Sequence, residues 1–486
     1  MTSTTDDQEI AAGPFAPTWE SLRQFQCPEW FRDAKLAFWS HWGPQSVPMY
    51  GDWYARHLYV EGHDQYRHHW RVYGHPSQVG YKDIVPLWRA ENFDPDGLMR
   101  LFVEAGAKYF VGQIMHHDNF DNFDSAHQRW NSVNVGPKRD ITGLWRDAAR
   151  AHGLPFGFSE HLGASFNWFG VNKGSDTAGP YAGVPYDGND PEFADLYYRN
   201  QGYSLERGWY TDNTEFHRHW FARIKDAIDK YGPDLLYSDG GVPFGETGLR
   251  LIAHLYNTSA AHHGGVNRAV YSQKDTDPEV YAVGVLDIER GQRGDIAEHP
   301  WQTDTSVGDW FYNVRDVYKT PRHVLEMLVD IVSKNGNLLL NIPQRPDGTI
   351  DDECAHLLRR MAAWMPAHGE GLFGSRPWDV AGEGPTSAAS GAFKEDAVDW
   401  TPEDFRFTRR GATLYAYQMR WPENGQAVIR ALASGRAHRV TAVRLLGHAD
   451  VPFQQTGEGL TITLSPLPPG DGPHGFAVTL DAPPPQ

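Results

Sequence analysis

The chain has 486 residues with a formal net charge of −18 at pH 7, and 13% of them are aromatic. This acidic balance argues against nucleic acid and anionic membranes as partners. The two cysteines, Cys27 and Cys354, are too few for a disulfide framework or a cysteine metal site. The length leaves room for one large domain and one small domain.

The N-terminus is expected to form an arm over residues 1–28. Met1 to Glu9 is polar and acidic, without the basic and apolar regions of a signal peptide. No segment approaches the roughly 18 uninterrupted apolar residues of a membrane span. We therefore expect a cytoplasmic protein, or a secreted or periplasmic one if a leader has been removed.

Residues 29–375 alternate between strand-like apolar runs and helix patterns, which is typical of a parallel α/β fold. The clearest helix signals are Asp94 to Gly106, Thr214 to Lys230 and Pro321 to Lys334. The apolar runs repeatedly end in polar residues, namely His41-Trp42, His116-His117-Asp118, Glu160-His161, Ser238-Asp239 and Asn341. The predicted fold is a (β/α)8-like TIM barrel with its active site at these strand ends.

The last part of the chain, 376–486, has a different pattern. Residues 376–396 are rich in Gly, Pro, Ser and Ala, which predicts a linker. Beyond them, short strand signals alternate with turn residues and no helix pattern intervenes. We expect a C-terminal all-β sandwich domain.

The histidine-containing strand ends allow several interpretations. In His41-Trp42, the histidine could donate a hydrogen bond to a substrate hydroxyl while the tryptophan packs on a sugar ring. Alternatively, both residues belong to the core, with the hydrogen bonds of the histidine satisfied there. His116-His117-Asp118 suits a polyhydroxylated substrate, a metal ion or a purely structural role. Adjacent residues on an extended chain point to opposite faces, which disfavours a shared metal ion.

Asp239, followed by two glycines after a buried strand, is the candidate nucleophile. The alternative for Asp239 is a turn aspartate in an Asx motif. A sugar hydrolase also needs a second carboxyl group. The candidates are Glu160, Asp287, Glu289, Glu298 and Asp304.

These motifs together resemble the α-L-fucosidases of glycoside hydrolase family 29. The resemblance covers most of residues 29–375. It rests on Trp30 to Lys35, His41 to Pro44, Asp52 to Arg56, His116 to Asp118, Asp234 to Gly240 and Leu328 to Ile350.

The resemblance implies a retaining hydrolase in which Asp239 is the nucleophile. It implies that His41, His116 and His117 bind fucose, and that Trp310 lies under the methyl group of the sugar. Asp52 stands where the family usually has Glu, beside the matching Trp53. The segment Glu289-Arg290-Gly291 resembles the acid/base segment of one subgroup, so Glu289 is the expected acid/base.

The chain departs from the family pattern at five positions: Trp39, Ser40, Met115, Asn119 and Ser238. These changes predict a crowded sugar site and leave L-fucose and L-galactose open as the glycone, because a hydrophobic pocket rejects an added hydroxyl only weakly.

The sequence thus predicts an exo-α-L-fucosidase that acts on fucosylated oligosaccharides or glycoconjugates without a metal ion or cofactor. The alternatives are an α-L-galactosidase, a carbohydrate-binding protein without hydrolytic activity, and a metal-dependent hydrolase using His116, His117 and His161. The oligomeric state is not predicted.

Overall fold

The computed structural model describes residues 9–435, 439–465, 470 and 472–481. Its larger domain is built on eight parallel strands. They are β1 (Leu36–Ser40), β2 (Tyr109–Met115), β3 (Phe156–Glu160), β4 (Leu235–Ser238), β5 (Val270–Gln273), β6 (Val285–Leu286), β7 (Trp301–Ser306) and β8 (Gly336–Asn341). Every residue in these strands is buried, which explains the apolar runs of β1 and β2. The polar side chains of β7, Trp301–Ser306, are buried as well.

The eight strands close into a barrel. Hydrogen-bonded neighbours follow the order β6-β5-β4-β3-β2-β1-β8-β7. The remaining seam is joined just beyond β6, where Asp287 forms a parallel bridge with Gln302 of β7. This arrangement confirms the predicted TIM-like fold.

The α-helices of the described residues cover the barrel or lie in its loops. They are α1 (Trp19–Leu22), α2 (Glu29–Ala34), α3 (Tyr54–His57), α4 (Asp64–Val72), α5 (Tyr81–Ile84), α6 (Pro95–Glu104), α7 (Ile141–Ala151), α8 (Ser165–Trp168), α9 (Ala194–Tyr197), α10 (Thr214–Tyr231), α11 (Glu246–His262), α12 (Pro278–Tyr281), α13 (Pro321–Ser333) and α14 (Asp352–His368). The predicted helices correspond to α6, α10 and α13. Capping fixes their starts, since the side chains of Asp94, Asn213 and Thr320 accept hydrogen bonds from the first turns.

One side of the barrel lacks the regular helical cover. Only the four-residue α12 separates β5 from β6, and β6 runs to β7 through a loop without an α-helix. This loop, residues 287–300, contains Glu289.

The C-terminal strands form two antiparallel sheets. They are β9 (Arg376–Glu383), β10 (Phe405–Arg410), β11 (Thr413–Gln418), β12 (Gln426–Ile429), β13 (Val440–Leu445), β14 (Phe453–Thr456), β15 (Gly459–Thr463) and β16 (His474–Leu480). Five pair in the order β13-β16-β11-β10-β9 and three in the order β12-β15-β14. Side chains of both sheets, including Phe405, Phe407, Ile429 and Ile462, share one core, as in a sandwich.

The structure corrects the sequence interpretation of two segments. The predicted linker is wrong over Arg376–Glu383, which is a strand despite Pro377 and Gly382. It lies at a sheet edge and its pairing with β10 is irregular, so proline and glycine are tolerated. The N-terminal arm is also less loose than its composition suggests, because Leu22 is fully buried and the amide of Ala11 donates to His254 at 2.9 Å.

None of the helices in the described part of the chain combines the length and apolar character that crossing a bilayer requires.

A buried ion pair holds the loop that follows β2. Arg223 of α10 donates through two nitrogens to the carboxylate of Asp121, and both side chains are completely buried. Arg223 also donates to the side chain of Asn119. The loop carrying His116 and His117 is therefore fixed to α10 by charge-assisted hydrogen bonds.

We expect Arg223→Met to lower the free energy of unfolding by about 3–5 kcal/mol, because it leaves the Asp121 charge buried without a partner. Urea unfolding followed by tryptophan fluorescence measures the loss. The double variant Arg223→Met/Asp121→Leu removes both charges and should recover part of it. A single variant as stable as the wild type would contradict this role for the pair.

Candidate active site

The carboxyl ends of the barrel strands surround a cavity of about 620 Å³, within the range of small-molecule sites. All the site residues predicted from sequence line it: His41, Asp52, Trp53, His116, His117, Asp239, Glu289 and Trp310. Also in the lining are Trp39, His161, Trp209, Tyr210, Tyr237, Gly240, Gly241, Lys274, Asp304 and Phe393.

Asp239 lies at the end of β4 and is surrounded by positive or hydrogen-bonding groups. Its Oδ1 lies 2.7 Å from Nζ of Lys274, and its Oδ2 lies 3.4 Å from His117 Nε2 and 3.5 Å from His161 Nδ1. Burial alone would raise the pKa of Asp239, but Lys274 and the two imidazoles hold it well below its ordinary value. The side chain is therefore an ionised carboxylate facing the cavity.

The glycine after Asp239 is required by the packing of the neighbouring loop. Gly240 has φ of 119°, and a Cβ atom there would lie 2.4 Å from Oη of Tyr210. The indole of Trp209 donates to the carbonyl of Asp239 at 3.1 Å. The space that Gly240 leaves is thus used by the loop before α10, and this loop fixes the backbone of Asp239.

Glu289 faces Asp239 across Lys274. One oxygen of Glu289 lies 2.5 Å from Nζ of Lys274, and Asp304 Oδ2 lies 3.7 Å from the same nitrogen. Burial raises the pKa of Glu289 to about 7, with Lys274 opposing the rise and Asp304 and Asp239 adding to it. A carboxyl group with this pKa can be protonated near neutral pH while Asp239 is ionised, which is the division of roles that an acid and a nucleophile need.

The other candidate carboxyl groups lie elsewhere or have other partners. Glu160 is outside the cavity lining and accepts hydrogen bonds from Trp220 and two backbone amides. Asp287 is buried and accepts from Gln302. Glu298 is exposed and precedes β7, at the opposite end of the barrel. Asp304 does line the cavity and accepts from Tyr237 Oη at 3.0 Å, a position suited to orientation.

The floor of the cavity is a set of neutral imidazoles. His41, His116 and His161 are each at most 5% exposed, and burial lowers the pKa of all three. One nitrogen of His116 lies 2.9 Å from the side chain of Gln45, while Nδ1 of His41 has no hydrogen-bond partner among the described residues. Such buried, unpaired polar atoms suit the hydroxyl groups of a ligand.

Two groups in this floor also have the composition of a metal site. Ligand atoms of His41, His116 and His161 lie within 4.8 Å of one another, and so do those of His117, His161 and Asp239. Neutral imidazole is a common metal ligand. The rings of the predicted trio, His116, His117 and His161, are neighbours, with centroid distances of 4.4 to 5.8 Å. The trio is not itself one of these two groups, because His116 belongs to the first, His117 to the second and His161 to both.

Aromatic rings form the walls. Trp310 packs against His41 and Trp39 with centroid distances of 4.9 and 5.5 Å. On the other side, Trp53 packs against Trp209 at 6.4 Å. Burial and the neighbouring Asp309 raise the pKa of Asp52 well above its usual range, so its carboxyl group can donate a hydrogen bond.

The departures from the family pattern are mostly outside the cavity. Of the five positions, Trp39 lines it, and Ser40, Met115, Asn119 and Ser238 do not. Asn119 has φ of 64°, a conformation that asparagine tolerates better than most residues, and its amide donates to the carbonyls of Asp195 and Leu196. The prediction that these changes crowd the sugar site is therefore wrong for four of the five.

Sequence reasoning missed Lys274, Trp209, Tyr210 and Phe393. Lys274 follows β5 directly, so a strand assignment for Val270–Gln273 would have marked it as a strand-end residue. Trp209 and Tyr210 lie in a loop between α9 and α10, and Phe393 lies in the predicted linker. For these three residues the sequence carries no comparable signal.

Two family models match the chain. The model described as alpha-L-fucosidase matches residues 2–370, and the alpha-L-fucosidase C-terminal domain matches residues 398–481. Tissue alpha-L-fucosidase of Mus musculus is 29% identical, over 97% of this chain and 96% of the relative. The Homo sapiens enzyme of the same name is 28% identical, over 96% and 91%.

Solved structures show the same fold. The crystal structure of Thermotoga maritima alpha-fucosidase in complex with fucose has a TM-score of 0.73 and 24% identity, covering 96% of this chain and all of that one. Alpha-L-fucosidase isoenzyme 1 from Paenibacillus thiaminolyticus has a TM-score of 0.66 and 23% identity, with 95% and 99% covered.

Proposed function

Because the chain belongs to the α-L-fucosidase family of glycoside hydrolases, we propose that it is a retaining exo-α-L-fucosidase. Its substrates would be the terminal α-L-fucosyl groups of oligosaccharides or glycoconjugates. The observation that carries the proposal is the position of Asp239 and Glu289 on the two sides of one lysine ammonium group.

The separation of the two carboxyl groups supports retention. Both contact Nζ of Lys274, so the contacted oxygens lie no more than about 5.2 Å apart, the sum of the two distances. Retaining glycosidases have about 5–5.5 Å between these groups, whereas inverting enzymes need about 6.5–9.5 Å to admit a water molecule. The limit for the two contacted oxygens is thus closer to the retaining separation than to the inverting one.

In the proposed reaction, Asp239 attacks the anomeric carbon while Glu289 protonates the leaving oxygen. The bond from sugar to leaving group breaks, and a covalent glycosyl-enzyme forms on Asp239. Glu289, now ionised, removes a proton from water, which attacks the same carbon and releases the sugar and Asp239.

The neutral imidazoles of the floor are suited to the hydroxyl groups of the glycone. His41 and His116 present ring nitrogens at a buried end of the cavity, so the bound sugar would be a terminal unit. Trp310 supplies an apolar wall beside them. L-Galactose differs from L-fucose by one hydroxyl on C6, and it is the second glycone to test.

The test is hydrolysis of 4-nitrophenyl α-L-fucoside and of the corresponding α-L-galactoside, each with and without EDTA. We expect activity on the fucoside that EDTA does not change, and NMR should show the α anomer of the sugar released first. A β product would overturn retention. Loss of activity in EDTA, with recovery on adding Zn²⁺, would instead favour a metal ion on the histidine groups.

Lys274 should set the pH range of activity. It lowers the pKa of both Asp239 and Glu289, so Lys274→Met should raise both. Activity needs ionised Asp239 and protonated Glu289, so the acidic and alkaline limbs of the kcat/KM profile should both move to higher pH, by about one unit. Lys274→Arg keeps the charge and serves as the control. A loss of activity without movement of either limb would mean that Lys274 has only a structural role.

A further inference from the structure

The C-terminal domain contacts the barrel at the loop that carries Glu289. The connection between β9 and β10, residues 384–404 (the β9–β10 loop), belongs to the C-terminal sheet but reaches the cavity of the barrel. The backbone amide of Phe393 donates to the carbonyl of Glu289 at 2.9 Å, and the backbone amide of Lys394 donates to the carbonyl of Arg290 at 2.8 Å. A third hydrogen bond, from the amide of Gly391 to the backbone carbonyl of Gln292, completes a short antiparallel backbone pairing.

Side chains strengthen this contact. Glu395 accepts from Arg290 at 2.9 Å and from Lys319 at 2.8 Å. The guanidinium group of Arg290 also lies 4.7 Å from the centre of the Trp310 ring. Gly291 is needed for the close approach, because a Cβ atom there would lie 2.0 Å from the carbonyl oxygen of Gly391. The β9–β10 loop is therefore held firmly against the Glu289 segment.

Phe393 is unusually placed for a phenylalanine. Its side chain is 68% exposed and it lines the cavity. Its φ of 57° is an uncommon conformation for a bulky residue, and no aromatic or cationic group among the described residues stacks on its ring. Scattered exposed apolar residues need no explanation, but this one lines the cavity and has a strained backbone.

We propose that the Phe393 ring is the platform for the first ring of the leaving group, a hexopyranose bound through its apolar face. This inference rests on the proposed function. The acid must lie within hydrogen-bond reach of the oxygen it protonates, so the leaving group begins beside Glu289. The amide of Phe393 is hydrogen-bonded to the carbonyl of Glu289, and both residues line the same cavity. The volume of this cavity, about 620 Å³, exceeds the volume that one pyranose ring fills.

The test compares leaving groups of different size. Wild type is first assayed on α-L-fucosyl hexose disaccharides of several linkages, and the one hydrolysed fastest is kept. Its kcat/KM is divided by that for α-L-fucosyl fluoride, whose leaving group is a single atom. In Phe393→Ala we expect this ratio to fall roughly fivefold, the size of an aromatic contact. Alanine retains Cβ, so the left-handed backbone is comparably strained in both proteins.

Phe393→Tyr keeps the ring and should keep the ratio. An exposed valine far along the chain, Val266, provides a surface control as Val266→Ala. The proposal is overturned if the ratio stays unchanged in Phe393→Ala, or if Phe393→Tyr lowers it equally. Wild-type enzyme inactive on both fluoride and disaccharides would instead refute the proposed function itself, and the subsite with it.

Discussion

Asp239→Asn should lower kcat for 4-nitrophenyl α-L-fucoside by roughly 10⁴-fold or more, as expected for loss of a group that forms the covalent intermediate. Asparagine has nearly the shape of aspartate and can keep hydrogen bonds to His117 and His161, so the site should stay assembled. Its amide is not a nucleophile at the anomeric carbon. Steady-state kinetics on the purified variant measures the loss.

The variant Asp239→Gly sharpens this test. It opens a space on the face from which Asp239 would attack, and azide can enter there. We expect azide to restore turnover of the aryl fucoside and to give β-L-fucosyl azide, opposite in configuration to the substrate. Activity of Asp239→Asn close to wild type, or rescue that gives the α azide, would show that another group is the nucleophile.

Glu289→Gln should reduce kcat/KM for fucosyl disaccharides by about 10²–10⁴-fold, the usual contribution of a general acid. The loss should be far smaller for α-L-fucosyl fluoride, because fluoride departs without a proton. The alkaline limb of the pH profile should also change. In wild type it should reflect the Glu289 pKa of about 7, with activity falling as pH rises through that value and the acid loses its proton. In Glu289→Gln this limb should disappear.

Glu298→Gln is the matched control, since Glu298 is exposed at the other end of the barrel. It should leave both substrates and the pH profile unaffected. Equal losses on fluoride and disaccharide in Glu289→Gln would contradict a role in protonation. Asp304, which shares Lys274 with Glu289, would then be the next candidate.

The sequence was most informative where local signals and burial coincide. β2 could be predicted over Tyr109–Met115 because a strand buried on both faces needs a mostly apolar run, and all seven residues are indeed buried. α13 could be predicted because Thr320 caps a helix with one apolar stripe. Strand ends then placed His41, His116 and Asp239 at one face, since parallel strands share a direction. The predicted roles of Trp53 and Trp310 came from family resemblance rather than from pattern, and the resemblance selected Glu289 among the candidate carboxyl groups.

What could not be predicted depends on contacts between distant segments. β5 is only four residues long, and Lys274 after it opens a charged run that is typical of a surface loop. Its place in the site arises because three carboxyl groups from other segments lie around its ammonium group. Phe393 lies in a stretch rich in small residues, and its position follows from pairing with a loop about a hundred residues earlier in the chain.

The missing helix between β6 and β7 has a consequence for how the site responds to change. His41, His116 and Asp239 stand at the ends of barrel strands, whereas the Glu289 segment has no helix of its own and is braced by the β9–β10 loop. The candidate nucleophile and the candidate acid/base are therefore held by different parts of the polypeptide. Substitutions in the β9–β10 loop should displace Glu289 while leaving Asp239 and the histidines in place.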